Sequence, residues 1–171
     1  MRPFIEGKYI ISGSALCGGR AYAVMERFFR GYAAACGLGD KSQYEVLNRL
    51  AAKGIQSGKY LPVKTQFCGL RSEPDVRGQI SGISEDNFTP EAVIAGTLVG
   101  MAEELYGMYK LMPHESITSV VASGNASKLN PALPAAIEKV FGMKVTVTER
   151  RESAAVGASF FAEKACKNMG G

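Results

Sequence analysis

The chain has 171 residues, of which 46% are hydrophobic and 21% charged, enough for a core that buries roughly two-thirds of the unfolded surface and unlike a disordered tail or a fibre. Lys and Arg number 20 against 16 Asp and Glu, a net charge of +4; the basic residues alternate with acids, so no stripe tracks a phosphate backbone and nucleic acid is not an expected partner. The four cysteines, Cys17, Cys36, Cys68 and Cys166, lie far apart in sequence without CxxC spacing, which argues against a zinc site or a disulfide framework and fits a reducing cytoplasm.

In chain order, residues 1–6 carry no apolar run ahead of a small-residue cleavage site, so no secretory signal is expected. Tyr9 to Leu16 reads as a β-favouring strand ending in the turn Cys17-Gly18-Gly19. From Arg20 to Cys36, Ala21, Met25, Phe28 and Tyr32 recur at helical spacing and Gly37 supplies a stop, which predicts an amphipathic helix. A weaker helix is predicted from Ser42 to Lys53, halting at Gly54. Leu61, Val63, Thr65 and Phe67 alternate with polar neighbours, the pattern of a strand with one buried face.

Residues 70–78 read as a charged Pro/Gly loop before a short strand at Gln79 to Ile83. The clearest helix signal follows, with Thr89 as N-cap, Pro90 at the first helical position, Glu91 in the first turn, and a ridge of Ile94, Leu98, Met101, Leu105 and Met108. Gly96, Gly100 and Gly107 share another stripe of this helix, at a cost of about 1 kcal/mol each against Ala, so a neighbour is expected to pack there. With Glu103 and Glu104 these glycines also interrupt the longest apolar stretch, so no membrane span is expected.

Ile117 to Ala122 reads as a buried strand entering the polar turn Ser123-Gly124-Asn125. A helix is expected next, with Asn130 as cap, Pro131 at its start, and Leu133, Ile137 and Val140 inward. Lys144 to Thr148 alternates as a further strand, and Ser153 can cap a last helix whose small-residue start allows close docking. No repeat, low-complexity segment or linker is visible, so the expectation is one α/β domain over residues 1–171, its C-terminal half built from alternating strands and helices around a sheet.

A strand that feeds a helix through a polar turn leaves backbone N–H groups facing the space beyond the sheet edge, where anions and nucleotides bind. Gly124 would admit a ligand to the main chain, and Asn125 and Asn130 offer donors and acceptors to a base or ribose. Turn-making by Gly124 and simple capping by Asn130 account for these residues equally well, and neither Walker A nor GxGxxG spacing is present. Gly18-Gly19 offers a second approach point, or only a turn. Arg71 and Arg77 suit a phosphate or carboxylate, and equally an Arg–Asp pair that orders the loop around Asp75. His114 and Arg150-Arg151-Glu152 read as solvated surface. Asp40, Asp75 and Asp86 sit in loop contexts with no scaffold pairing them, so no catalytic base and no metal ligand is nominated.

Taken together, Ser14 to Gly19, Phe67 to Gly78, Asn87 to Pro90 with its glycine-bearing helix, Ala122 to Pro131, and Glu152 to Ala158 resemble, in order, the C-terminal domain of the FGGY carbohydrate kinases. The sedoheptulokinase-like branch, with the xylulokinase-like one, is the most similar. The resemblance implies a ribonuclease-H-like, actin-type ATPase fold, a mixed sheet flanked by helices. It implies ATP with Mg2+ held between two domains, and a ketose such as sedoheptulose or xylulose bound mainly by the first. By the same resemblance Gly19 lies beside the phosphates and sugar, Gly124 and Asn125 contact the adenosine, and Asn130 is near the adenine. With Gly18 and Ser123 these are the candidate nucleotide-binding residues. The Ser-Gly-Asn turn stands where many members have successive glycines. The family's Asp-x-Gly-Thr-type strand and catalytic aspartate would precede Met1, so this chain alone is expected to hold nucleotide without turning over, and its exposed interdomain face to favour self-association. The alternative is a non-catalytic actin-like-fold binding or regulatory module.

Overall fold

The computed structural model describes residues 2–3, 7–113, 117–148 and 153–169; His114 and Arg150-Arg151-Glu152 lie outside them. Strands β1 (Arg2–Pro3) and β2 (Tyr9–Ile10) form an antiparallel pair. Helices α1 (Arg20–Ala35) and α2 (Tyr44–Ser57) follow, then the antiparallel pair β3 (Val63–Lys64) and β4 (Gln79–Ile80). After the long helix α3 (Pro90–Lys110), β5 (Ser119–Ala122), α4 (Asn125–Leu129), α5 (Ala132–Phe141) and β6 (Lys144–Val147) form a β–helix–β unit whose two strands are parallel, Ser119 opposite Lys144 and Ala122 opposite Val147. Helix α6 (Ser153–Met169) ends the described chain.

The centre of this arrangement is α3. Thr89 caps it as expected, its Oγ1 accepting from the Ala92 N–H at 3.2 Å, and Pro90 begins the helix. Every residue from Ala92 to Ala102 is buried, Ile94 at 0% and Leu98 at 1% exposure. A helix buried on all sides needs neighbours on all sides. Here α1, α2, α5 and β3 surround it. Full burial of a side chain such as Ile94 or Leu98 is worth about 1.5–3 kcal/mol.

The glycine stripe is where the backbones come closest. A Cβ on Gly96 would overlap the Leu61 carbonyl oxygen, and one on Gly100 would overlap that of Val63. The expected neighbour is thus the β3 segment, whose Leu61 N–H also donates to the Ala92 carbonyl at 3.1 Å. Leu61, Val63 and Thr65 are buried, as the alternation predicts. Gly107 differs, because a Cβ there would meet nothing within 4 Å.

Several expectations are corrected. The described residues form three two-stranded sheets rather than one mixed sheet. One reason is visible at β3: the backbone of residues 61–63 leans on α3, so that edge is lost to further strands. The predicted strand from Tyr9 to Leu16 pairs only at Tyr9–Ile10. Gly54 does not stop α2, which continues to Ser57 and ends at the left-handed residue Gly58 (φ +70°). Gly54 is instead a crossing point, where a Cβ would lie 2.5 Å from the Ala95 Cβ and 2.8 Å from the Glu91 carbonyl oxygen.

On α1, Ala21 and Met25 face inward, whereas Phe28 and Tyr32 are 68% exposed each. The buried stripe instead includes Tyr22, Glu26 and Ala33. Glu26 takes an inward place because its Oε1 accepts the Gln43 backbone N–H at 3.1 Å, at the start of α2. On α6, a Cβ on Gly157 would meet nothing within 4 Å, so this glycine does not mark a close approach among the described residues.

The two kinds of glycine on α3 give opposite expectations. Gly100→Ala drives a methyl into the Val63 carbonyl and should destabilise by about 1–3 kcal/mol. Gly107→Ala adds a methyl to open space and should stabilise by up to about 1 kcal/mol. Urea unfolding of the two variants measures both signs.

Candidate functional site

Two cavities adjoin, with Gly19, Met101, Ala126 and Leu133 in the walls of both. The first, of about 500 Å3, has Gly19, Tyr22, Tyr44, Asn48, Leu129 and Asn130 on its walls, with Leu98, Met101 and Leu133 among its apolar lining. The second, of about 650 Å3, is bounded by Gly18, Gly19, Glu104, Val121, Ser123 and Phe141 among others. Gly19 belongs to both. Each volume lies within the roughly 300–1,000 Å3 of small-molecule sites, and an apolar lining with a few polar groups is the usual composition of such a site.

The walls of the first cavity are held by one polar network. The Tyr22 hydroxyl donates to Asn48 Oδ1 at 2.9 Å, and Asn48 Nδ2 donates to the Leu129 carbonyl at 3.0 Å. This ties α1 to α2, and α2 to the end of α4. Asn130, 7% exposed, accepts the Ala132 N–H on its Oδ1 at 3.1 Å and so caps α5. Burial pushes the Tyr22 phenol well above its ordinary value; the Asn130 side chain opposes that shift, while Tyr44 adds to it. Tyr44 stacks near Tyr22, with ring centroids 6.0 Å apart, and stays partly exposed on the wall, where it offers an aromatic surface.

The predicted site residues separate into three groups. Gly19 and Asn130 share a wall of the first cavity; Gly18, Gly19 and Ser123 share the second. Gly124 and Asn125, at the exposed start of α4, line neither. Gly124 has φ +95° and ψ 171°, so its glycine is accounted for by the backbone alone. The Asn130 cap is likewise present as a structural role. Gly18 adopts φ +45° in the turn. Gly19 is different. Its conformation is ordinary and helical (φ −61°, ψ −17°), and a Cβ there would meet nothing within 4 Å. Neither backbone nor packing requires a glycine at this position, which lies on the walls of both cavities.

Sequence reasoning missed Tyr22, Tyr44 and Asn48, because periodicity marks which residues face inward but not which polar tips converge. It also missed α4, a five-residue helix between turn and cap. Arg77 orders its loop, but through backbone carbonyls: its Nη1 donates to Pro74 at 2.7 Å and to Val76 at 2.9 Å. Arg71 lines a third cavity of about 420 Å3 that also includes Glu103 and Glu104. Glu104 Oε2 accepts from the buried Thr65 hydroxyl at 2.9 Å. The cysteines, remote in sequence, are not all remote in space, since the Cys17 and Cys68 sulfurs are 3.5 Å apart. Among the described residues, no group of three or more His, Cys, Asp or Glu gathers that could hold a metal ion. No helix among them is long and apolar enough to cross a membrane.

No protein-family pattern and no curated protein matches the chain. Solved structures do. The xylulose kinase of Bifidobacterium adolescentis is similar with a TM-score of 0.60 at 23% identity, over 82% of this chain and 26% of that one. The Rhodospirillum rubrum xylulose kinase gives 0.61 at 19%, over 83% and 28%. A ligand-bound xylulose kinase from Lactobacillus acidophilus gives 0.62 at 17%, over 85% and 29%. The likeness is one of fold: this chain has the architecture of a part of these kinases and spans 26–29% of their length.

The Tyr22 network carries its own pH signature. The unfolded chain releases the Tyr22 proton near pH 10, before the folded protein does. Stability contributed by the neutral phenol is therefore complete below that value and is lost as pH rises above it. Tyr22→Phe should cost about 0.5–1.5 kcal/mol at pH 7 and flatten the alkaline loss, as read by urea unfolding between pH 8 and 11. Asn130→Ala, which removes the cap, should cost about 1–2 kcal/mol, and Asn130→Asp much less.

Proposed function

We propose that this chain is the nucleotide-binding half of an FGGY-type carbohydrate kinase. The complete enzyme would transfer the γ-phosphate of ATP to a hydroxyl of a ketose such as xylulose or sedoheptulose. Residues 1–171 act in this reading as a single domain. The observation that carries it is Gly19, a glycine that neither backbone nor packing explains, at the junction of a largely apolar cavity and a second one, in a chain with the fold of part of the xylulose kinases. The five ordered sequence segments support the same family.

In this reading the adenosine occupies the first cavity, with Tyr44 and the apolar lining as its surfaces. Backbone at Gly18 and Gly19 admits the phosphates, because no side chain bars their approach. Ser123 belongs to the second cavity, nearer the transferred group. Gly124 and Asn125, outside both cavities, act through the turn that places α4. Mg2+ accompanies the nucleotide, and this chain has no cage for it among its described residues; the metal would be held by the phosphates and the complementary half. Phosphoryl transfer rests on positioning and charge stabilisation. The base is supplied by that other half, so the chain alone holds nucleotide without turnover. A cytoplasmic location belongs to the same proposal, as does self-association of the isolated chain, supported by exposed Phe28, Tyr32 and Phe88.

Gly19→Leu tests the reading directly, since Gly19 lines both cavities and a Cβ there meets nothing within 4 Å. Calorimetric titration with Mg-ADP should show millimolar or tighter binding to the native chain. Gly19→Leu should weaken it at least about tenfold, a loss of about 1.4 kcal/mol, with the unfolding midpoint unchanged. Absence of Mg-ADP binding to the native chain favours the non-catalytic module, and ketose phosphorylation by these residues alone contradicts the assignment of the base elsewhere.

A further inference from the structure

Cys17 and Cys68 are 51 positions apart in sequence, yet the Cys68 thiol donates to the Cys17 sulfur at 3.5 Å. A disulfide requires roughly 2.05 Å, so an approach of about 1.5 Å converts contact into bond. We propose that these two residues are a reversible dithiol couple, oxidised by small-molecule disulfides, that joins the loop of residues 66–78 to the turn ahead of α1.

Both ends of the couple are held by structure. The Cys17 carbonyl accepts the Arg20 N–H at 2.9 Å, closing the turn. Cys68 is on a loop folded on itself: the Gly69 N–H donates to Gln66 at 3.0 Å and the Leu70 N–H to Glu73 at 3.0 Å. A Cβ on Gly69 would overlap the Pro74 carbonyl oxygen, so the loop packs closely on itself there. The two thiols differ in access. Cys68 is exposed and Cys17 buried. Burial pushes the Cys17 thiol up to about 11, with the neighbouring Cys68 adding to the shift. Cys68 is therefore the entry point and Cys17 the sheltered resolving thiol.

The chemistry is thiol–disulfide exchange. The Cys68 thiolate attacks one sulfur of the small disulfide, forming a mixed disulfide and expelling one small thiolate. Cys17 then gives its proton to solvent, and its thiolate attacks the Cys68 sulfur, forming the Cys17–Cys68 bond and expelling the second thiolate. Two protein thiols are oxidised and one small disulfide is reduced to two thiols. Because Cys17 directly precedes Gly18-Gly19, the bond restrains the turn at which the two cavities meet. This holds whatever those cavities bind.

The test equilibrates the native protein with mixtures of reduced and oxidised glutathione, followed by acid quenching, intact mass and peptide mapping. Expected are the loss of two hydrogen atoms per chain, a cross-linked Cys17–Cys68 peptide, and full reversal by dithiothreitol. Cys68→Ser, at an exposed position, should abolish the cross-link, and Cys17→Ser should halt at a glutathione adduct on Cys68. Amide hydrogen exchange over residues 17–21 and 66–78 should slow roughly tenfold in the oxidised protein. A persistent adduct on Cys68 of the native chain without a cross-link would overturn the proposal. Cross-linking through Cys36 or Cys166 in preference, or unchanged exchange in the oxidised form, would do so as well.

Discussion

The contact on which the architecture depends is the approach of the β3 backbone to α3. At Gly96 and Gly100 the carbonyls of Leu61 and Val63 take the space that side chains would fill. A single methyl at either position would force strand and helix apart. That close seating lets Leu61, Val63 and Thr65 be buried against α3. It also directs the Leu61 N–H to a helix carbonyl rather than to another strand. The same helix accepts α2 across Gly54 and Ala95, so small residues set the spacing on two of its sides.

The stretch of α3 from Ala92 to Ala102, buried throughout, is the post around which the candidate site is built. Leu98 and Met101 of α3 line the first cavity, while α1, α2 and the α4–α5 junction supply the walls. The polar links Tyr22 to Asn48 and Asn48 to the Leu129 carbonyl hold three separate elements in register. Three reasons for a glycine can be told apart. Gly96 and Gly100 answer to packing, Gly124 to its backbone angle, and Gly19 to neither. Gly107 also answers to neither; what sets Gly19 apart is its place on the walls of both cavities.

Much of the helical framework was legible in the sequence because its signals are local. Thr89-Pro90-Glu91 marks the start of α3, and Asn130-Pro131 that of α5. Apolar spacing located α1 within a residue at each end. The same reasoning failed where an inward place is granted by a distant partner. Glu26 is buried because it receives the Gln43 N–H, while Phe28 and Tyr32 were displaced outward. Gly54 looked like a stop because glycine disfavours helix, but its partner on α3 reverses that preference. The single sheet was over-read, since alternation reports one buried face and does not say whether a strand or a helix covers it.

Candidate site residues divide along the same line. Gly19 and Asn130 were visible because turns and caps have fixed local chemistry. Tyr22, Tyr44, Asn48 and the Cys17–Cys68 pair were not, because they meet only when contacts between residues 26, 51 and 81 positions apart form. The sequence by itself determined helix caps, the strand alternation at Leu61 to Thr65, and the glycine stripe that announces a close neighbour. Which neighbour fills the stripe, which polar tips converge on a cavity and which thiols touch were decided by tertiary packing. Backbone preference acts over a few residues, whereas burial and hydrogen bonding act on whatever the fold brings within reach.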